Sequence, residues 1–534
     1  MPRNPLIRIL LGAIVLASLW LRLWGISWGL PNKDRFTTLY VDEYTTFWIL
    51  SHMNPSHGDF NPRYGHNPTF FYYQVGASLF IASKLGIAPL RNEKDYYLVH
   101  PDQYGKLYLV GRLLCVAYGV AATLVFYFLG KRLSGQEMGG LLSSLFYALI
   151  PISAISSHVI DVGVPVTFWL ALSFWGFLEG FKARGGRWIY LSAIASGLSF
   201  STKYTSAPII LVLAYMVWKS TRSVKTVFLS LVTAGIAYAA GTPYIFIDAT
   251  HMLKGLFAMA NAATGLDFSP SLYAIAYPFA LFGYLVGLPL CLMALIGLYL
   301  QARDRNPASI AAFLFLIPYL GLLCWSPLHM ARYLNETLPF LLPFATIPLI
   351  HLFQSERTVW RWSAVLLMLA CVSRAPYTYA IDHTLATDPD PRDLASDWVK
   401  AHIPSGRRVG LEREATFMMP AQIYMDYWRG QRYPIDVVPL PHYTYSLWGE
   451  DTNHWNPQAP DYWIETNVLF SDVTKNSAQK DRFAEFVRGM RQDYVPQIVF
   501  KRDVRCGPLH YETPALAGHD WKLFLPEITI YAHR

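Results

Sequence analysis

Two adjacent carboxylates, Asp42 and Glu43, follow the first apolar run of the chain, in the order Val41-Asp42-Glu43-Tyr44. That run, residues 6–24, is long enough to cross a bilayer. Carboxylates beside a membrane are expensive to bury, and taken alone such a pair reads as solvated loop. More polar groups recur at the corresponding ends of later apolar runs. They are His66 before Asn67-Pro68, Arg112, His158 with Asp161, Lys203-Tyr204, Tyr244 with Asp248, and His329 with Arg332 and Tyr333. Their recurrence points to a site at one membrane face. The chemistry that suits it is transfer of a group from a lipid phosphate to a hydroxyl or amine. A carboxylate within hydrogen-bond reach serves as general base for the acceptor. Fixed cations hold the leaving phosphate, with Arg112, Lys203 and Arg332 as candidates. The lipid tail needs an apolar groove, and membrane spans supply its walls.

Each residue also has a plainer reading. Arg112, Lys203 and Arg332 lie near span ends, where long cationic side chains snorkel to the interface. His158 and Asp161, spaced i, i+3, can pair with each other at a helix end. Phe70, Phe71, Tyr72 and Tyr73 fit an aromatic interface belt. A divalent metal is an open alternative, with Asp42, Asp161 and His66 as candidate ligands beside Glu43 and His329. Scattered His and carboxylates lack the close ligand spacing of a metal motif.

The elements that must position these groups are membrane helices. Hydropathy puts spans near 6–24, 108–130, 138–157, 162–181, 188–202, 206–218, 226–246, 272–301, 307–325, 335–353 and 359–376, about eleven crossings. Residues 68–86 are also apolar, and are read as a helix lying in the interface. That choice gathers Arg3/Arg8, Lys131/Arg132, Lys182/Arg184/Arg187, Lys219/Arg222/Lys225, Arg303/Arg305 and Arg357/Arg361 on one side. The positive-inside rule then makes the N-terminus cytoplasmic and the C-terminus exoplasmic. The first external loop, 25–107, is long and carries interfacial helices near 42–53 and 68–86. Residues 248–264 form a further amphipathic helix outside.

The expected division is a transmembrane domain 1–376, a linker 377–392 carrying Asp388-Pro389-Asp390-Pro391, and an exoplasmic α/β domain 393–534. In that domain the pattern predicts a helix over 393–403 and strands at 408–412, 434–438, 461–466, 497–501 and 526–532, with another helix at 479–491.

Composition agrees with this class. The chain has 534 residues, 53% hydrophobic and only 15% charged, as a polytopic membrane protein with some soluble mass would have. Its net charge of +8 comes without any basic run or basic helix, which excludes nucleic acid as a partner. Four of the five cysteines lie in apolar runs and no CxxC pair occurs, so no disulfide framework is expected. Repeats, P-loop, HExxH and GxSxG motifs are also absent. Arg3 and Arg8 precede the first apolar run like the start of a signal peptide, but Val15-Leu16-Ala17 is a poor cleavage site. A retained signal-anchor is expected.

A resemblance emerges from the order of short motifs. Val41-Asp42-Glu43-Tyr44 is followed by His66-Asn67-Pro68-Thr69-Phe70-Phe71-Tyr72, Gly111-Arg112-Leu113, Lys131-Arg132-Leu133-Ser134-Gly135 and Asp161 with Pro165. Ser201-Thr202-Lys203-Tyr204, Gly241-Thr242-Pro243-Tyr244 and Arg332-Tyr333-Leu334 complete the series. Over residues 1–376 this resembles the polytopic membrane glycosyltransferases of the C-type superfamily, glycosyltransferase family 39 with its protein O-mannosyltransferases and lipid A aminoarabinose transferases. The resemblance implies a polyprenyl-phosphate-linked sugar donor, transfer with inversion on the exoplasmic face, and a protein, lipid or glycan acceptor. It implies Asp42 as catalytic base assisted by Glu43, and Asp161 positioning acceptor or metal. It implies donor-phosphate contacts from Arg112 and Lys203; Arg332 and Tyr333 are further candidates for the phosphate, and His66, Tyr244 and His158 are candidates for acceptor or sugar contacts. A bacterial plasma (inner) membrane, with its lipids, is the expected setting. His66-Asn67-Pro68-Thr69 departs from the usual His-Pro-Pro-Leu-like stretch, and no sugar-binding repeat domain is evident, which leaves the acceptor open. The alternative is a lipid or sugar transporter, or flippase, without covalent chemistry; against it, no repeat is visible and the charges sit at span ends.

Overall fold

The computed structural model describes residues 4–32, 35, 38–91, 96–97, 100–264, 272–326, 330–411, 444–447, 460–467, 488, 491–513 and 518–534. Among them, eight helices are long and apolar enough to cross a membrane. A ninth candidate is the pair Glu137–Leu149 and Pro151–His158, bent by 63°. The expected spans at 188–202 and 206–218 are helices of 16 and 13 residues, Arg187–Thr202 and Ile209–Thr221, short of a full crossing. The helices expected near 42–53, 68–86 and 248–264 are present as Val41–Ser51, Phe70–Lys84 and Ala249–Thr264. The chain is thus a polytopic α-helical membrane protein with a C-terminal strand-bearing domain.

Local chemistry sets several boundaries. Asn4 and Asn306 accept from the amides of Leu6 and Ala308, each ahead of a proline in the first turn. At Ile150-Pro151 the ring of proline disfavours helix in the preceding residue, and Ile150 is extended (ψ 138). The resulting bend turns the chain inward, so that residues 150–162 are all buried. Where two helices approach most closely, glycine is required: a Cβ on Gly297, in helix Leu288–Arg303, would stand 1.9 Å from the carbonyl oxygen of Phe344 in helix Leu338–Phe353.

The chain divides into two compact units. One comprises residues 1–26, 45–81 and 110–382; the other comprises 27–44, 82–109 and 383–534. The division at 382/383 falls within the expected linker 377–392; helix Ala375–Thr387 runs through most of that stretch, with Tyr377, Ala380, Ile381 and Asp382 buried. The stretch 25–107 is shared between the units: 27–44 and 82–107 group with the C-terminal residues, and 25–26 and 45–81 with the first unit.

Within the second unit, helix Pro391–His402 starts at Asp390, whose side chain caps it. A five-stranded mixed sheet follows, in the order β2-β1-β3-β7-β4. Its strands are β1 (Arg408–Leu411), β2 (Thr444–Leu447), β3 (Tyr462–Thr466), β4 (Tyr494–Phe500) and β7 (Ile528–His533). β1 pairs in parallel with β2 and β3, while β7 runs antiparallel between β3 and β4. A hairpin of β5 (Val504–Cys506) and β6 (Leu509–Tyr511), not foreseen from the sequence, stands apart from the sheet. The strand expected at 434–438, and nearly all of the helix expected at 479–491, lie outside the described residues.

Candidate functional site

In the first unit, residues from three connections meet. Lys203 ends helix Arg187–Thr202, Asp161 precedes helix Gly163–Lys182, and Arg332 and Tyr333 lie in the 3-10 segment Ala331–Thr337. The ammonium of Lys203 contacts the carboxylate of Glu336, which is fully buried. The Thr205 hydroxyl lies 2.9 and 2.8 Å from the two oxygens of the same carboxylate. Lys203 Nζ also sits 4.4 Å from the ring centroid of Tyr333, and Arg332 Cζ lies 5.8 Å from it. Arg332 Nε is 3.6 Å from Asp161 Oδ2, while Asp161 Oδ1 accepts from the amide of Gly163 at 2.7 Å. Tyr319 donates to the carbonyl of Tyr333 at 2.8 Å, and Asn335 Nδ2 donates to Ser156 Oγ at 3.2 Å. Two cations therefore share one aromatic ring, and each is neutralised by a carboxylate. That ring also lines a small apolar recess, about the size of one water molecule, with Tyr277, Pro278, Leu281, Leu323, Met330 and Leu334.

The structure thus joins four of the expected residues, Asp161, Lys203, Arg332 and Tyr333. It also corrects the plainer readings. Lys203 is only 6% exposed and does not snorkel. Asp161 pairs with Arg332, not with His158. Glu336 is the member that sequence reasoning missed; its signal was an acidic residue inside an apolar run.

Arg112 and His158 are both fully buried in the same unit. Arg112 Nη1 donates to the carbonyl of Ile26 at 2.6 Å, so this residue caps the end of the first helical region instead of reaching the interface. His158 Nε2 lies 3.0 Å from the Leu21 carbonyl, which can only accept, so Nε2 carries the hydrogen. Asp382 Oδ1 lies 3.7 Å from the same nitrogen. Nearby, Arg22 donates to Ser18 Oγ at 2.6 Å and to Ser153 Oγ at 3.1 Å, and stands 5.3 Å over the Tyr147 ring. Arg22 and Asp382 were also missed: the first sits within the first span and the second in the expected linker.

His66 and Tyr244 belong to a further group in this unit. His66 is half-buried against Tyr64, with ring centroids 4.5 Å apart, and burial lowers its pKa. The hydroxyl of Tyr244 accepts from the Phe60 amide at 3.3 Å. Asp248 accepts from Asn61 Nδ2 at 2.7 Å and lies 2.8 Å from His251 Nδ1. These donors, Asn61 first, hold the Asp248 carboxyl below its usual range. A Cβ on Gly65 would stand 2.1 Å from the Met252 carbonyl, so the loop lies flat on helix Ala249–Thr264. His329 lies outside the described residues.

Asp42 and Glu43 fall in the second unit, in the first turn of helix Val41–Ser51, where the helix dipole favours negative charge. Asp42 is half-buried. Glu43 is fully buried and accepts from the Thr38 hydroxyl, which is itself 3.3 Å from the Tyr40 amide. Among the described residues no group of three or more His, Cys, Asp or Glu side chains is placed to hold a metal ion.

Comparison with known proteins completes the description. Residues 104–247 match the dolichyl-phosphate-mannose-protein mannosyltransferase family. No curated protein matches the chain in a sequence search. Among solved structures, the apo oligosaccharyltransferase of Archaeoglobus fulgidus aligns over 98% of this chain and 78% of its own, at 13% identity and a TM-score of 0.53. ArnT from Cupriavidus metallidurans bound to undecaprenyl phosphate aligns over 98% and 97%, at 12% identity and a TM-score of 0.48. The chain shares its fold with the archaeal oligosaccharyltransferase.

Proposed function

We propose that this chain is an integral membrane glycosyltransferase that moves a hexose or pentose from a polyprenyl-phosphate donor to a protein, lipid or glycan acceptor, with inversion, on the exoplasmic face. The observation that carries the reading is the pair of cations sharing the Tyr333 ring among apolar side chains. A lipid phosphate presents the same juxtaposition, an anion joined to a hydrocarbon chain. The match of residues 104–247 to a family named for a lipid-phosphate sugar supports the donor class.

In this reading the Asp42 carboxylate takes the proton of the acceptor hydroxyl or amine, assisted by Glu43. The acceptor atom bonds to the anomeric carbon, the bond from that carbon to the phosphate oxygen breaks, and polyprenyl phosphate leaves with the electron pair. Arg332, half-buried and 3.6 Å from its carboxylate, is the principal phosphate contact. Lys203, held closely by Glu336, supplies positive potential behind it. Arg112 holds the end of the first helical region. Asp161 orients Arg332, and His66, Tyr244 and His158 shape the acceptor side. The N-terminus is cytoplasmic and the C-terminal domain exoplasmic, in a bacterial inner membrane.

The test offers purified full-length protein a panel of radiolabelled polyprenyl-phosphate sugars. Wild type releases polyprenyl phosphate. Asp42→Asn binds the same donor but turns it over about 10²–10⁴-fold more slowly, the range a general base contributes. Full activity in Asp42→Asn removes the base assignment. Movement of the donor across liposomes without a covalent product replaces the enzyme with a carrier.

A further inference from the structure

We infer that the C-terminal domain forms the mould that fixes the Asp42 segment, and that Trp28, Arg35 and Tyr40 are positioning residues acting through it. The inference rests on the reading of Asp42 as the base. Its observations all lie within the second unit, where residues 27–44 pack with 383–534.

The centre of this packing is Asp390. Arg392 binds it in a fork, Nε to Oδ1 at 2.7 Å and Nη2 to Oδ2 at 2.9 Å. Arg502 Nη2 lies 3.5 Å from Oδ2, and the indole N–H of Trp28 donates to the same oxygen at 3.1 Å. Arg392 is fully buried and Trp28 is 3% exposed. The ring of Trp28 also meets Phe524 at 4.8 Å, and Tyr40 meets Phe524 at 5.7 Å. Phe524 is held in turn, since its carbonyl accepts from Arg502 at 2.9 Å. Arg35 adds a third tie: Nη2 reaches Asp393 at 3.3 Å while Nη1 donates to the carbonyl of Gly29 at 2.9 Å. The Leu39 amide donates to that same carbonyl at 3.1 Å, closing the stretch on itself. Gly29 has φ +61, a conformation costly for other residues.

Tyr40 is thus clamped two residues before Asp42, with Thr38 already bonded to Glu43. A base that works by hydrogen-bond reach needs such fixing, because misplacement by about 1 Å can cost about a hundredfold in rate. The domain supplies geometry to the carboxylate, beyond any role in recognition.

The experiment uses full-length Trp28→Phe, which keeps the ring but removes the indole donor, and Arg35→Asp, Asp393→Arg and their charge-swapped double variant. Hydrogen–deuterium exchange of residues 38–44 is expected to rise in each single variant while residues 57–67 stay at wild-type rates. Donor affinity stays unchanged, kcat falls about tenfold to a hundredfold, and the charge swap recovers both kcat and protection. Unchanged exchange at 38–44 with wild-type kcat overturns the inference. So does a parallel loss of donor binding and kcat, which marks a general defect. Failure of the base assignment is separate: it appears as activity in Asp42→Asn, whatever the exchange data.

Discussion

At the scale of single residues, the site is a set of ion pairs buried from water. Glu336 shows what such a pair demands. It is fully buried, and Lys203 and Thr205 are its described partners. Glu336→Ala leaves an uncompensated ammonium in the interior, a change that costs about 3–5 kcal/mol. Thermal unfolding in detergent is expected to show a correspondingly lower midpoint, and Glu336→Gln a smaller loss. A second carboxylate makes a pH prediction. Burial raises the pKa of Glu465, opposed by the Tyr531 hydroxyl donating at 2.6 Å and by Arg491. The folded state therefore holds that proton more tightly than the unfolded chain. Stability from this group is full below the ordinary glutamate range and falls as pH rises through the raised value. Glu465→Gln, which keeps the uncharged form, is expected to gain on wild type as pH rises above the ordinary glutamate range in the same melting measurement, and an equal gap at all pH values refutes this. The candidates Asp161, Lys203, Arg332 and Tyr333 were legible as polar groups at span ends. Their partners were not: Glu336 lies 133 positions from Lys203, and no local spacing links them.

Elements turn those residues toward one another. The extended backbone at Ile150 bends the chain between Glu137–Leu149 and Pro151–His158 and carries His158 and Asp161 inward. Close contact between helices fixes the frame: Gly297→Val places side-chain atoms where the Phe344 carbonyl stands. Overpacking of this kind costs about 1–3 kcal/mol, and a lower melting midpoint with reduced yield of folded protein is expected. Most helices were readable because a membrane span is a long apolar run, a signal that needs no tertiary knowledge. Within 377–392 the sequence admits two local readings. Asp388-Pro389-Asp390-Pro391 looks like a composition-driven linker, yet Asp390 followed by Pro391 is also a helix start, an N-cap and a first-turn proline. Burial decides between the two, and burial of Asp390 comes from Arg392, Arg502 and Trp28.

For the whole molecule, the division of the chain was the least legible feature. The stretch between the first two spans reads as one loop, but residues 27–44 and 82–109 pack with the C-terminal residues, and 45–81 with the membrane helices. Hydropathy cannot register this, since both halves are apolar and aromatic enough to suit either home. The same arrangement has a consequence for manufacture of the protein. Trp28 and Asp390 are separated by 362 positions. At ordinary ribosomal speeds of about 5–20 residues per second, the Trp28–Tyr40 face waits on the order of half a minute for its partner to be made. During that interval Trp28, Leu39 and Tyr40, all nearly inaccessible in the finished fold, are exposed to solvent or lipid. The newborn chain is then most open to chaperones and proteases, and synthesis of the residues around Asp390 and Phe524 ends that exposure.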